Sequence, residues 1–117
     1  MGIAEQNMIS IAAGLALGGK IVYTYAIQPF SSLRCYEQIK VDLCSMNLKV
    51  TVLGVGAGFA YDIMGPTHHA TEDVSIMRAL PEITILNPSD SIMAGGLAEI
   101  TYRSHGPKYV RFDRGNM

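Results

Sequence analysis

The segment ITILNPSDSIMAGGLAEITYRSHGPKYVRF, residues 83–112, reads as strand, helix and strand in turn. Ile83 to Leu86 is a short β-branched run, and Asn87-Pro88-Ser89-Asp90 is a turn able to cap the helix that follows, from Ser91 to about Arg103. Gly106-Pro107 then leads into a strand from Lys108 to Phe112. Strands separated by a helix-length crossover lie parallel, since an antiparallel pair needs only a tight turn.

The same alternation continues toward the N-terminus. A helix is expected from His69 to Leu80, with Glu72 and Asp73 in its first turn, where negative charge suits the helix dipole, and Pro81 past its end. Lys49 to Val55 reads as a buried strand, and the glycine-rich stretch from Gly54 to Gly65 as a long loop. Leu33, Tyr36, Ile39 and Leu43 recur at helical spacing within Ser32 to Met46, which Ser31 or Ser32 can cap. Ile21 to Tyr25 is β-branched and aromatic, a strand closed off by Pro29. Residues 4–17 put Met8, Ile11, Ala12 and Leu15 on one helical stripe, which Gly18-Gly19 ends. Four strands alternating with helices predict an α/β fold: a mostly parallel sheet of about four strands with helices on both faces. The chain opens directly on a helix, where a doubly wound domain normally starts with a strand. Residues 1–117 therefore read as a single, incomplete domain whose first βα unit is missing or supplied elsewhere.

Composition narrows the classes. Of 117 residues 49% are hydrophobic and 16% charged, enough apolar material for a core and too little charge for disorder. Nine Lys and Arg against ten Asp and Glu leave a charge of -1, with no basic face for nucleic acid. The apolar run Met8 to Leu17 falls short of the ~20 residues of a membrane span. Glu5 precedes the first lysine, Lys20, so no signal peptide is read and a cytoplasmic location is the default. On a helix Cys35 and Cys44 would point to opposite sides, which makes them two reduced, buried thiols.

Chemistry has four candidate locations: Glu5, the Gly54-Val55-Gly56-Ala57-Gly58 run, Gly65-Pro66-Thr67-His68-His69, and the closing pair Arg111 and Arg114. Each also has an ordinary reading. A carboxylate in a first helical turn serves the dipole. The glycine run lacks the third glycine opening a helix and the later acid that a dinucleotide fingerprint needs, so it reads as a flexible loop. Adjacent histidines do not share a metal, and no Cys, Asp or further His stands at zinc-like spacing around them. A histidine just before a helix can still donate a hydrogen bond to an anionic or hydroxylated ligand, which keeps His68 a candidate.

Taken together, Gly2-Ile3-Ala4-Glu5-Gln6-Asn7-Met8, Ala12-Ala13-Gly14-Leu15-Ala16, Gly65-Pro66-Thr67-His68-His69, Glu72-Asp73, Met77-Arg78, Pro81 and Asn87-Pro88-Ser89-Asp90 resemble the pyrimidine-binding domain of the transketolase family. The likeness is to the C-terminal subunit of split transketolases, and the ending Tyr109 to Gly115 fits it too. The resemblance implies a thiamine diphosphate enzyme transferring a two-carbon ketol unit between sugars, and assigns Glu5 to N1′ of the cofactor's aminopyrimidine. A carboxyl group there favours the 4′-imino tautomer, whose nitrogen can take the proton from C2 of the thiazolium. It implies further that Phe30, with Tyr25 behind it, packs on the pyrimidine, that Arg34 opens the following helix beside it, and that His68, rather than His69, and Arg114 meet the sugar. The pyrimidine-side aromatics have ordinary core packing as their alternative.

This sequence departs from the family pattern at two positions: Met64 stands where an acid usually precedes Gly-Pro-Thr-His, and Gly56 where a phosphate-binding histidine is usual. The Gly-Asp-Gly…Asn motif that binds diphosphate and Mg²⁺ does not occur, so the resemblance implies a partner subunit or domain holding that half, in a homo- or hetero-oligomer. Two other functions stay open at this level. One is a non-catalytic oligomerisation remnant; the other is a small nucleotide-binding α/β module, which requires the Gly54 to Gly58 loop to turn directly into a helix.

Overall fold

The computed structural model describes residues 2–115. Its centre is a sheet of four parallel strands in the order β1 (Val22–Ile27), β2 (Val50–Val55), β4 (Lys108–Phe112), β3 (Thr84–Leu86). Register runs from Val22 opposite Val50 to Ile27 opposite Val55, and β4 pairs with both β2 and β3 through Lys108, Tyr109 and Val110. Residues of alternate parity face opposite ways along each strand, and the even positions of β1 and β2 share a face with Tyr109 and Arg111. On that face Val50, Val52 and Tyr109 are fully buried beneath Ile9, Ala12 and Ala13 of α1 (Glu5–Leu17), Met77 of α4 (Asp73–Arg78), and Ile39 and Leu43. On the other face lies α5 (Ser91–Arg103), seated through Leu97 and Thr101, whose hydroxyl is 3.1 Å from that of Tyr23. Helices thus cover both faces, as the alternation predicts. Among the described residues no helix is long and apolar enough to cross a membrane.

The expected ends of two helices hold. The Asp90 side chain accepts from the Met93 amide at 2.7 Å and starts α5. The amides of Gly18, Gly19 and Lys20 turn back on the carbonyls of Gly14, Ala16 and Leu15 and close α1. At the far end of α5 the buried Lys108 Nζ donates to the carbonyls of Ser104, His105 and Gly106 at 2.7–3.1 Å, and burial depresses its pKa.

Four local expectations are corrected. First, the buried stripe of α1 is Ile9, Ala12 and Ala13; Ile11 and Leu15 face outward, because the two alanines are the small side chains on which the helix lies against the sheet. Second, β1 begins one residue late and runs on to Ile27, so Pro29 falls in the first turn of α2 (Gln28–Ser31), where a missing amide costs nothing.

Third, no single helix spans Ser32 to Met46. The hydroxyls of Ser31 and Ser32 donate back to the Gln28 carbonyl at 3.2 and 2.6 Å and finish α2 instead of starting a new helix. A turn leads to α3 (Tyr36–Gln38), which widens into a π-helical run, Ile39–Cys44. That wider turn buries Ile39, Leu43 and Cys44 together. Cys35 and Cys44 are free and buried, and desolvation raises their pKa values from 9.0 to about 12 and about 11.

Fourth, α4 starts at Asp73 instead of His69, and Asp73 is not a solvated dipole partner but almost wholly buried.

Candidate functional site

In a parallel sheet the loops that leave the carboxyl ends of the strands share one edge. Here these are α2 after β1, the loop after β2, and the residues after β4. α1 precedes β1 and brings its N-terminus to the same edge, where Arg34 Nη1 donates to Glu5 Oε2 at 2.9 Å. That bond outweighs the effect of partial burial and holds the Glu5 carboxyl below the usual carboxylate range. Arg34 lies in the turn between α2 and α3, not in a helix, and its guanidinium sits 4.0 Å over the Phe30 ring.

The Phe30 and His68 rings meet edge to face, with centroids 5.1 Å apart and planes at 74°. His68 Nδ1 is 2.9 Å from the Thr67 hydroxyl. Beyond His68 stands Tyr61 at 6.1 Å, and the Arg114 guanidinium is 4.6 Å over the Tyr61 ring. Glu5, Arg34, Phe30, His68, Tyr61 and Arg114 therefore form one continuous line of contacts. An open groove of about 420 Å³ runs beside it, lined by Pro29, Phe30, Leu33, Arg34, Pro66 and Thr67.

Neighbouring His69 turns away, its ring against Phe59 at 4.9 Å and its Nε2 3.2 Å from the Asp62 carbonyl. Tyr25, expected behind Phe30, is not in the line. Strand alternation puts it with Tyr23 on the side opposite Thr24, and it is 63% exposed.

Below the line sits a buried polar knot that the sequence reading missed. Asp73 Oδ2 accepts from the Tyr109 hydroxyl at 3.0 Å, from Arg111 Nε at 2.9 Å and from Gln28 Nε2. Arg111 also donates to the Ala70 carbonyl at 3.3 Å. Gln28 lies two residues before Phe30 and Ala70 two after His68, so the knot sets how the aromatic turn and the histidine loop face each other. Burial, reinforced by the Asp73 charge, drives the Tyr109 hydroxyl pKa upward. The available signal was β4 itself, where Tyr109 and Arg111 share the core-facing parity and so require a buried acceptor.

Gly54 makes the approach of α2 possible. A Cβ there would lie 2.9 Å from Ser31 Oγ and 3.1 Å from Gln28 Cγ. The glycine run that follows does not open a helix. It passes through a bridge from Gly58 to Ala70 and a 3₁₀ turn at Asp62–Met64, so the arrangement a nucleotide-binding module requires is not formed. Among the described residues no three His, Cys, Asp or Glu side chains gather as a metal ligand set.

Comparison with known proteins gives a consistent neighbourhood. The family described as "Transketolase, pyrimidine binding domain" matches residues 1–117. The chain is 39% identical over 113 residues to an apulose-4-phosphate transketolase subunit of Actinobacillus succinogenes, covering 97% of this chain and 36% of that one. It is 38% identical over 114 residues to the 6-deoxy-6-sulfo-D-fructose transketolase subunit SqwH of a Clostridium species, covering 97% and 35%. Among solved structures it resembles a split gene transketolase described as an inactive beta4 tetramer, with a TM-score of 0.88 and 33% identity, covering all of this chain and 37% of that one. The chain thus spans about a third of the length of the curated relatives it matches.

Proposed function

Because the chain belongs to the transketolase pyrimidine-binding domain family, we propose that it supplies the aminopyrimidine half of a thiamine diphosphate site for transfer of a two-carbon ketol unit between sugars. The observation that carries this reading is the Glu5–Arg34–Phe30 group, an ionised carboxylate and a flat apolar wall at one end of an open groove. Those residues suit an aminopyrimidine, which in its 4′-imino tautomer carries a hydrogen on N1′ for a carboxylate to accept and takes apolar contact on its face. The cofactor, when bound, supplies a thiazolium carbon acidic enough to be deprotonated and to attack a ketose carbonyl.

The chain's own residues have separable tasks. Glu5 accepts a hydrogen bond at N1′ and so keeps the proton-accepting tautomer available; Arg34 keeps Glu5 ionised until the ring arrives. Phe30 packs on the ring. His68, oriented by Thr67 and by the Phe30 ring, donates to a sugar hydroxyl or to the oxygen on which charge develops. Arg114 closes the substrate side. Diphosphate and Mg²⁺ are assigned to a partner subunit or domain. Support for that division comes from the relatives, which are named as transketolase subunits, and from the beta4 tetramer described as inactive.

The test is hydrogen exchange at C2 of the cofactor in the protein assembled with its diphosphate-binding partner. Glu5→Gln is expected to slow that exchange by on the order of 10²-fold or more, while unfolding stability changes by less than about 1 kcal/mol. Unchanged exchange in the variant would return Glu5 to a helix-dipole role and defeat the proposal.

A further inference from the structure

Gln28 is a wholly buried amide at the point where β1 ends and α2 begins. An amide in the interior costs free energy unless its polar atoms are matched, and Gln28 Oε1 has no hydrogen-bond partner among the described residues. Completing the knot does not offset that cost. Asp73 Oδ2 already accepts from the Tyr109 hydroxyl at 3.0 Å and from Arg111 Nε at 2.9 Å, so the carboxylate keeps two donors, one of them a cation, without Gln28. A methionine at this position would fill a similar length with no polar atom to satisfy.

What Gln28 does hold is α2. A helix of four residues is too short to keep its own place and depends on what anchors it. The Gln28 carbonyl accepts the hydroxyls of Ser31 and Ser32, and Cys35 Sγ donates to the Phe30 carbonyl at 3.4 Å; all three bonds stay within the segment. Among the described side-chain hydrogen bonds of residues 28–32, the one from Gln28 Nε2 to Asp73 alone reaches another element. Gln28 Cγ also lies on the bare backbone of Gly54, 3.1 Å from where a Cβ would stand, so the side chain is gripped between β2 and the knot. Phe30 follows two residues later, its half-buried ring between Arg34 and His68 beside the open groove.

We propose that Gln28 is a positioning residue for the aminopyrimidine: by tying α2 to Asp73 it sets where the Phe30 ring stands relative to Glu5, and the amide is retained for that placement and not for stability. The inference rests on the ketol-transfer reading and adds to it a residue that acts on the cofactor through Phe30.

Its test uses the full-length protein assembled with its diphosphate-binding partner. Binding of thiamine diphosphate in the presence of Mg²⁺ is measured by calorimetry, and stability by urea unfolding. Gln28→Met is expected to weaken cofactor binding by about 10-fold, the size of one well-placed aromatic contact. The urea midpoint is expected to stay within about 0.5 M of the parent's, because a donor and an unmatched acceptor leave together. Phe30→Ala is expected to weaken binding at least as much, and Gln28→Met added to Phe30→Ala to weaken it no further, since one acts through the other.

Cofactor binding equal to the parent's, a Gln28→Met variant that unfolds or loses more than that in midpoint, or additive losses in the double variant would overturn the inference. Weakened binding in Phe30→Ala beside unchanged binding in Gln28→Met removes this inference and leaves the ketol-transfer reading standing. A parent that binds no thiamine diphosphate removes the reading itself, and this inference with it.

Discussion

Replacing Asp73 with alanine tests the knot on which the site is built. The carboxylate is 1% exposed and is the common acceptor for Gln28, Tyr109 and Arg111, of which Gln28 and Tyr109 are wholly buried. A buried donor left without an acceptor costs about 1–3 kcal/mol, and a buried ion pair deprived of one partner about 3–5 kcal/mol. The three donors share one oxygen, so these figures overlap, and the expected loss for Asp73→Ala is about 3–5 kcal/mol. Asp73→Asn keeps the shape and one acceptor, and is expected to cost about half of that.

Urea unfolding followed by circular dichroism reads the difference. With a slope of about 1–3 kcal/mol per molar, a loss of about 3–5 kcal/mol lowers the alanine variant's midpoint by about 1–5 M. A loss below 1 kcal/mol, or asparagine as damaging as alanine, would refute the view that the carboxylate is the hub. The knot also sets the facing of Phe30 and His68, so Arg111→Met is expected to lower kcat in the assembled enzyme more than an exposed-residue variant of equal stability.

His68→Ala should lower kcat/KM of the assembled enzyme by roughly 10- to 10³-fold, whereas His69→Ala, whose ring meets only Phe59 and the Asp62 carbonyl, should do much less; equal losses would remove the distinction. The raised pKa values of Cys35 and Cys44 mean that the unfolded thiols ionise first. Stability is then whole below pH 9.0 and falls as pH rises toward 11 and 12, by about 1.4 kcal/mol per pH unit per thiol. Cys35→Ala should flatten that alkaline decline in pH-dependent unfolding, and an unchanged slope would contradict it. Glu5 has the opposite sign. Its pKa is lowered in the folded chain, so its contribution is present above the ordinary 4.5 and is lost as acid protonates it. With Arg34 substantially exposed the pair is worth only about 0.2–1 kcal/mol, and Arg34→Ala should abolish this small acid dependence.

Element order was legible in the sequence because its signals are short-range. Alternation at period two, spacing at period 3.6 and turn residues such as Asn87 to Asp90 act within a few residues, and they are enough to specify parallel strands with covering helices. Glu5, His68 and Arg114 could be named as candidates from residue type and place along the chain, while Phe30 and Arg34 were named only through the family resemblance; the structure gathers all five at the edge where a parallel sheet collects its loops. Even His68 could be separated from His69, since the rigid Pro66-Thr67 step precedes one and not the other. Partnership across the chain was not legible. Asp73 looked like a first-turn dipole residue because the donors it serves lie 36, 38 and 45 residues away, in Tyr109, Arg111 and Gln28. Only packing shows that Tyr61 fills the space over Gly56, that Ser31 and Ser32 close one helix instead of opening another, and that Tyr25 faces away from Phe30. Local periodicity determines which residues can make an element; burial, which depends on every neighbour at once, decides what each side chain touches.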